Sequence, residues 1–145
     1  MKPVEQTIIH VPGRENGNCF AACVASLFEV HIDEVPNFCA FEGPLAWYDA
    51  ARAWCRSWGY DLGTIGTLDT VTHWADTPPG DHAIASVPSP RGPWKHCVVV
   101  DRHGVVVHDP YPGAPIGHHA ADAIEFDLVI AAYEPYPTQP AELGL

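Results

Sequence analysis

From Asn18 the chain reads NCFAACVASLFEV, with apolar side chains at positions 20, 23, 24, 27 and 28. That spacing predicts a helix with its apolar side buried, and Asn18 is of the type that caps a first turn. Upstream, EQTIIHV (5–11) predicts a short strand or extended lead, and Pro12, Gly13 and Gly17 in PGRENGN break any regular element before the helix. HIDEVPNF (31–38) predicts a short helical turn stopped by Pro36. PLAWYDAARAWCRSWGY (44–60) predicts a second, amphipathic helix with Trp47, Ala51, Trp54 and Trp58 on one face and Gly59 as its terminator. The three tryptophans are assigned to the core.

After that helix the pattern changes from a period of about 3.6 to runs of β-branched residues: HAIASV (82–87), HCVVVD (96–101), GVVVHD (104–109), then IEFD and LVIAAY near the end. These predict an antiparallel sheet. Helices first and strands afterwards, without a βαβ rhythm, give an α+β fold with N-terminal helices packed on a C-terminal antiparallel sheet. No internal repeat or linker interrupts it, so residues 1–133 read as one domain. The Pro-rich stretch 134–145 (EPYPTQPAELGL) reads as an arm or frayed tail, and its composition raises the question of whether it blocks a cleft.

Composition narrows the function classes. Seven Lys and Arg against eighteen Asp and Glu leave a formal charge of −11, which offers a phosphate backbone no counterpart and argues against nucleic acid as a partner. No apolar run reaches the roughly 18–20 residues of a membrane span, and the start lacks a basic region followed by an apolar signal core, so the expectation is a cytosolic protein without a membrane partner. Five cysteines in that compartment are expected to be thiols rather than a disulfide framework. Neither CxxC nor HxxxH occurs and the nine histidines are scattered, so no metal site is expected, and the reading calls for no cofactor.

The candidate chemistry centres on Cys19, where a Gly- and Asn-rich loop enters the first helix. Unpaired backbone N–H groups at a helix start favour a thiolate, the nucleophilic form of cysteine. Cys23, one turn on, reads as a small core residue, and Cys39, Cys55 and Cys97 lack a comparable setting. A nucleophilic cysteine needs a base and a group that orients it. If strands 96–101 and 104–109 meet through a two-residue turn at Arg102 and His103, facing residues sum to 205 and His96 faces Asp109. A turn at His103 and Gly104 leaves the pair diagonal on one face, whereas a three-residue loop separates it. The plain structural alternative is that both residues merely flank an apolar hairpin at its solvent end.

Taken together, GNCFAACVASLF and, with its histidine 77 residues after Cys19, HCVVVDRHGVVVHDP resemble the papain-like cysteine hydrolase superfamily. The likeness spans roughly residues 5–133 and is strongest to small stand-alone bacterial and phage members, among them relatives of the double-glycine leader peptidases. It implies a papain-like fold, Cys19 as nucleophile, His96 as general base and Asp109 as the residue that holds the imidazole. It further implies an oxyanion hole formed by the Cys19 backbone N–H and an upstream polar side chain. The family's glutamine precedes the cysteine by a few residues, whereas Gln6 lies thirteen residues away, so Asn16 and Asn18 compete with it.

Of the remaining candidates, His108 is expected on the face opposite Asp109, His118 and His119 in an exposed loop, and His82 as an alternative base lacking a well-placed carboxylate. Trp94, in the SPRGPW segment before His96, is a candidate substrate contact at the rim of the cleft or simply a cover for the core. Asp33 and Glu34 read as helix-end charges. The leading expectation is a cysteine hydrolase that cleaves an amide, peptide or isopeptide bond of a peptide or protein through a thioester, with the acidic surface favouring a basic or neutral substrate. The alternatives are a catalytically silent papain-like module that binds or inhibits a target, as a phage protein does a host protein, and a thiol redox protein using Cys19 and Cys23.

Overall fold

Residues 1–71, 74 and 80–131 are described by a computed structural model. The order is α1 (Cys19–Phe28), α2 (Ala46–Ser57), β1 (Tyr60–Ile65), β2 (His82–Pro88), β3 (Lys95–Asp101), β4 (Val106–His108) and β5 (Glu125–Ala131), with single 3-10 turns at Ile32–Glu34, Phe38–Ala40 and Leu68–Thr70. The fold is α+β, and the strands form one antiparallel sheet in the order β1-β5-β2-β3-β4. IEFD and most of LVIAAY are one continuous strand, β5. The boundary at residue 133 and the segment 134–145 lie outside the described residues.

Strand alternation divides the apolar residues between two cores. Leu62, Ile84, Val99 and Val129 face α1, which is buried from Phe20 to Leu27. Ala83, Ala85, Val98, Val100, Phe126 and Leu128 turn to the other face, covered by Trp74 and Ala120. Because α1 is enclosed on every side, small residues (Ala21, Ala22, Ala25) fill the positions that an amphipathic surface helix would give to charge.

Three expectations need correction. β1 follows α2 directly and pairs with β5, although GYDLGTIG carries Gly at 59, 63 and 66 and a short apolar content that mask its strand pattern. On α2 the buried line is Ala51 and Cys55; Trp47 and Trp54 are half-buried around it, and Trp58 is 47% exposed. The wide indoles close the edges of the helix face while the small residues approach the core. Of the strand and the extended lead expected over 5–11, no strand forms over 5–10: the segment bends at Thr7 and Ile8 and is tied in by single hydrogen bonds, such as Gln6 N–H to the Pro110 carbonyl at 2.9 Å.

The β3–β4 hairpin also departs from either two-residue register. Asp101 N–H donates to the Val105 carbonyl and Gly104 N–H to the Asp101 carbonyl, both at 3.0 Å, so residues 102–104 form a three-residue loop. Gly104 closes it at φ +80, a left-handed conformation in which a Cβ would also lie 3.2 Å from the His119 ring. That loop alone would place Asp109 on the face opposite His96. A bulge follows, with Val100 opposite Val106 but Val99 opposite His108, so Val107 is the extra residue. Two shifts of one residue cancel in parity, and His96 and Asp109 return to the same face in a diagonal relation.

Among the described residues no helix is long and apolar enough to cross a membrane. No group of three His, Cys, Asp or Glu side chains in the same set is arranged to hold a metal ion.

Candidate active site

Cys19 is the first residue of α1, so its backbone N–H belongs to the first turn, where no intrahelical carbonyl is available. Asn18 is the N-cap by position, but its side chain does not cap the helix. Instead its Oδ1 accepts the N–H groups of Thr7 (3.0 Å) and Ile8 (2.9 Å), and its Nδ2 donates to Thr7 Oγ1 at 3.0 Å. Asn18 thus fastens the lead segment beside the helix start. Gly17 permits that close approach, since a Cβ there would stand 2.8 Å from the His10 nitrogen. Asn16 is also engaged, donating to the Cys39 carbonyl at 2.7 Å.

These ties bring Gln6, Cys19, Cys39, Arg91, Trp94 and His96 to the walls of one cleft of about 370 Å³. Gln6 is buried; its Nε2 donates to the Ile8 carbonyl at 2.9 Å, while its Oε1 is buried with no hydrogen-bond partner among the described residues. Trp94 is half-buried and packs against His10 with ring centroids 4.8 Å apart.

His96, buried near the start of β3, has its Nε2 2.7 Å from Asp109 Oδ1. The same carboxylate oxygen accepts the Tyr111 N–H at 2.9 Å. Burial opposes the Asp109 charge, but the imidazole and that amide outweigh it and hold the carboxyl below its ordinary range. With Nε2 occupied by Asp109, Nδ1 is the ring nitrogen left for the thiol.

Cys19 is drawn down to about 4, first by the neighbouring Cys97 thiol and then, against the cost of burial, by His96. Burial works against the His96 imidazolium, but Asp109 and the Cys19 thiolate raise it to about 9. Between those values the pair is a thiolate and an imidazolium. The other thiols behave oppositely. Burial and the Cys19 charge push Cys39 up to about 11 and Cys23 well above the ordinary thiol range, and burial pushes Cys55 up to about 12. All five cysteines are free.

Sequence reasoning missed Cys97, Arg91 and Tyr111. Cys97 had a readable signal, since it is next to His96 and alternation turns it toward α1. Arg91 and Tyr111 had none, because they meet only through the loop before β3 and the segment after β4: the Arg91 guanidinium lies 3.6 Å above the Tyr111 ring, with Nη2 3.4 Å from His96 Nδ1. His108 is buried and structural, its Nε2 2.7 Å from the Val4 carbonyl. His118 and His119 are exposed. His82 lies opposite Asp101 in the β2–β3 register, at the end of β3 remote from His96.

No family model matches the chain, and no curated protein or solved structure is similar enough to it to count as a match.

Proposed function

We propose that the protein is a small papain-like cysteine hydrolase that cleaves an amide, peptide or isopeptide bond through a thioester. The observation that carries the reading is the 2.7 Å contact of His96 Nε2 with Asp109, which leaves Nδ1 toward a thiol held as thiolate at the start of a buried helix. A structural pair at a hairpin end has no reason to stand beside such a thiol. The Cys, His, Asp order along the chain and the packing of α1 on β3 support the papain-like assignment.

In this reading the Cys19 thiolate attacks the carbonyl carbon, and the oxyanion is held by the Cys19 backbone N–H and Gln6. Gln6 fits that role better than its competitors. Asn16 and Asn18 are engaged in fastening the loop, whereas Gln6 lines the cleft and has one amide hydrogen beyond the bond to Ile8. The His96 imidazolium gives its proton to the leaving nitrogen as the C–N bond breaks. It then takes a proton from the water that attacks the thioester, and Cys19 leaves as thiolate when the acid departs, so the ion pair is restored. Asp109 keeps the ring oriented through both transfers.

The test is the pH dependence of iodoacetamide alkylation, read at each cysteine by mass spectrometry, together with acyl transfer from p-nitrophenyl acetate. Cys19 is expected to react at full rate by pH 6, when an ordinary thiol of pKa about 8.5 is almost entirely protonated. His96→Ala should slow it at that pH. The ester should load an acetyl group on Cys19 that turns over in the wild type and never forms in Cys19→Ala. Ordinary thiol reactivity without acetyl transfer would instead indicate a silent binding module.

A further inference from the structure

The cleft in front of Cys19 has the opposite electrostatic character from the molecule around it. The chain carries a formal charge of −11, yet among the described residues no Asp or Glu lines this cleft, whereas Arg91 and Lys95 both do. Three of the other arginines are held in ion pairs: Arg52 and Arg56 share Asp61, and Arg102 pairs with Asp81. Neither Arg91 nor Lys95 has a carboxylate within ion-pair distance among the described residues.

Arg91 is aimed rather than loose. Its guanidinium stacks 3.6 Å above Tyr111, and Tyr111 is fixed by its N–H to Asp109. This puts a cation 3.4 Å from His96 Nδ1, the nitrogen that Asp109 leaves open. The Cys19 thiolate and Asp109 flank the His96 imidazolium, so the charge an incoming group meets on the open side is that of Arg91. A carboxylate matches the planar fork of a guanidinium.

We propose that the Cys19 cleft takes substrates carrying a carboxylate next to the scissile bond, bound by Arg91 with Lys95 at the rim. The proposal rests on the hydrolase reading and names its substrate class. Arg91 stands beside the imidazole that protonates the departing nitrogen, so the carboxylate belongs to the leaving group. It is either the free α-carboxylate of a released amino acid or the side chain of an acidic residue just after the bond. The expectation of a basic or neutral substrate, drawn from net charge, is reversed. Surface charges farther than a Debye length of about 8 Å are screened at physiological salt, and the cations within the cleft decide.

Iodoacetate and iodoacetamide react at sulfur in the same way and differ by a carboxylate in place of an amide. The ratio of their rates at Cys19, normalised to glutathione, therefore reads anion recognition apart from thiol acidity. Removing an exposed charge contact in Arg91→Gln is expected to lower that ratio about fivefold, and Lys95→Gln about twofold. Arg91→Lys should keep part of the preference. Protection of Cys19 by N-acetyl-Gly-Gly over its amide would assign the α-carboxylate; protection by N-acetyl-Gly-Asp-amide over its Asn counterpart would assign the side chain. An unchanged ratio in Arg91→Gln, or equal protection by charged and neutral peptides, overturns the proposal. Failure of the hydrolase reading shows separately, in the iodoacetamide rate alone, because the ratio can be read at whatever rate Cys19 reacts.

Discussion

Cys97 sits one residue beyond His96, and the two approach the thiolate from successive positions of the same strand. An S–H donor is weaker than an imidazolium, yet the half-buried Cys97 thiol is the leading cause of the lowered Cys19 pKa. In return, the thiolate and burial drive Cys97 far above its ordinary range, so it remains a donor at any working pH. Cys97→Ala is expected to raise the Cys19 pKa from about 4 by at least one unit, seen as a rightward shift in the pH profile of iodoacetamide labelling. Cys97→Ser should restore most of the shift, because a hydroxyl donates from nearly the same place. A profile indifferent to both substitutions would leave His96 as the sole source of the acidity.

At the scale of elements, the pairing of His96 with Asp109 depends on an even number of one-residue shifts in the hairpin. Inserting an alanine between His108 and Asp109 leaves the loop and bulge intact and should turn Asp109 to the face of Val99, away from His96. Cys19 labelling at pH 6 should then fall to the level of Asp109→Ala. Deleting Val107 instead, the residue with no partner across the pair, leaves His108 opposite Val99 and should keep the rate. Circular dichroism of each variant separates this outcome from unfolding. The same hairpin shows what was legible in the sequence and why. Cys19 was readable because loop residues give way abruptly to a helical period, and His96 and Asp109 because they bracket β-branched runs. Their register was not, because a two-residue and a three-residue loop fit RHG equally well and the bulge leaves no mark in VVVHD. β1 was hidden by its glycines, and the role of Asn18 by the fact that capping and fastening a lead segment ask for the same amide. Gln6 was readable only through the family likeness; what brings it to the cleft is the bond to Pro110, a contact between residues 104 apart.

Across the whole molecule, the sheet that carries His96 also encloses a carboxylate. Asp127 on β5 is 1% exposed, accepts the Thr64 hydroxyl at 2.6 Å through Oδ1, and has Oδ2 buried with no partner among the described residues. Burial raises its pKa to about 6, with Glu125 adding to the shift and Thr64 and Lys95 opposing it. The folded state therefore holds a proton that the unfolded chain has released between pH 3.8 and about 6, and stability must fall as pH rises through that window. A displacement of this size corresponds to about 3 kcal/mol, a sizeable share of the 5–15 kcal/mol that holds a typical domain together. Asp127→Asn keeps an oxygen for Thr64 and removes the charge. Its stability relative to wild type, from urea midpoints at pH 4 and pH 7, should rise by about 2 kcal/mol between the two, while Cys19 labelling stays unchanged. Constant relative stability would mean that Asp127 is solvated in the folded state. The acidic pH at which Asp127 is neutral overlaps the range in which the Cys19 thiolate already exists, so the contribution of Asp127 is largest at mildly acidic pH without loss of the reactive form of the thiol.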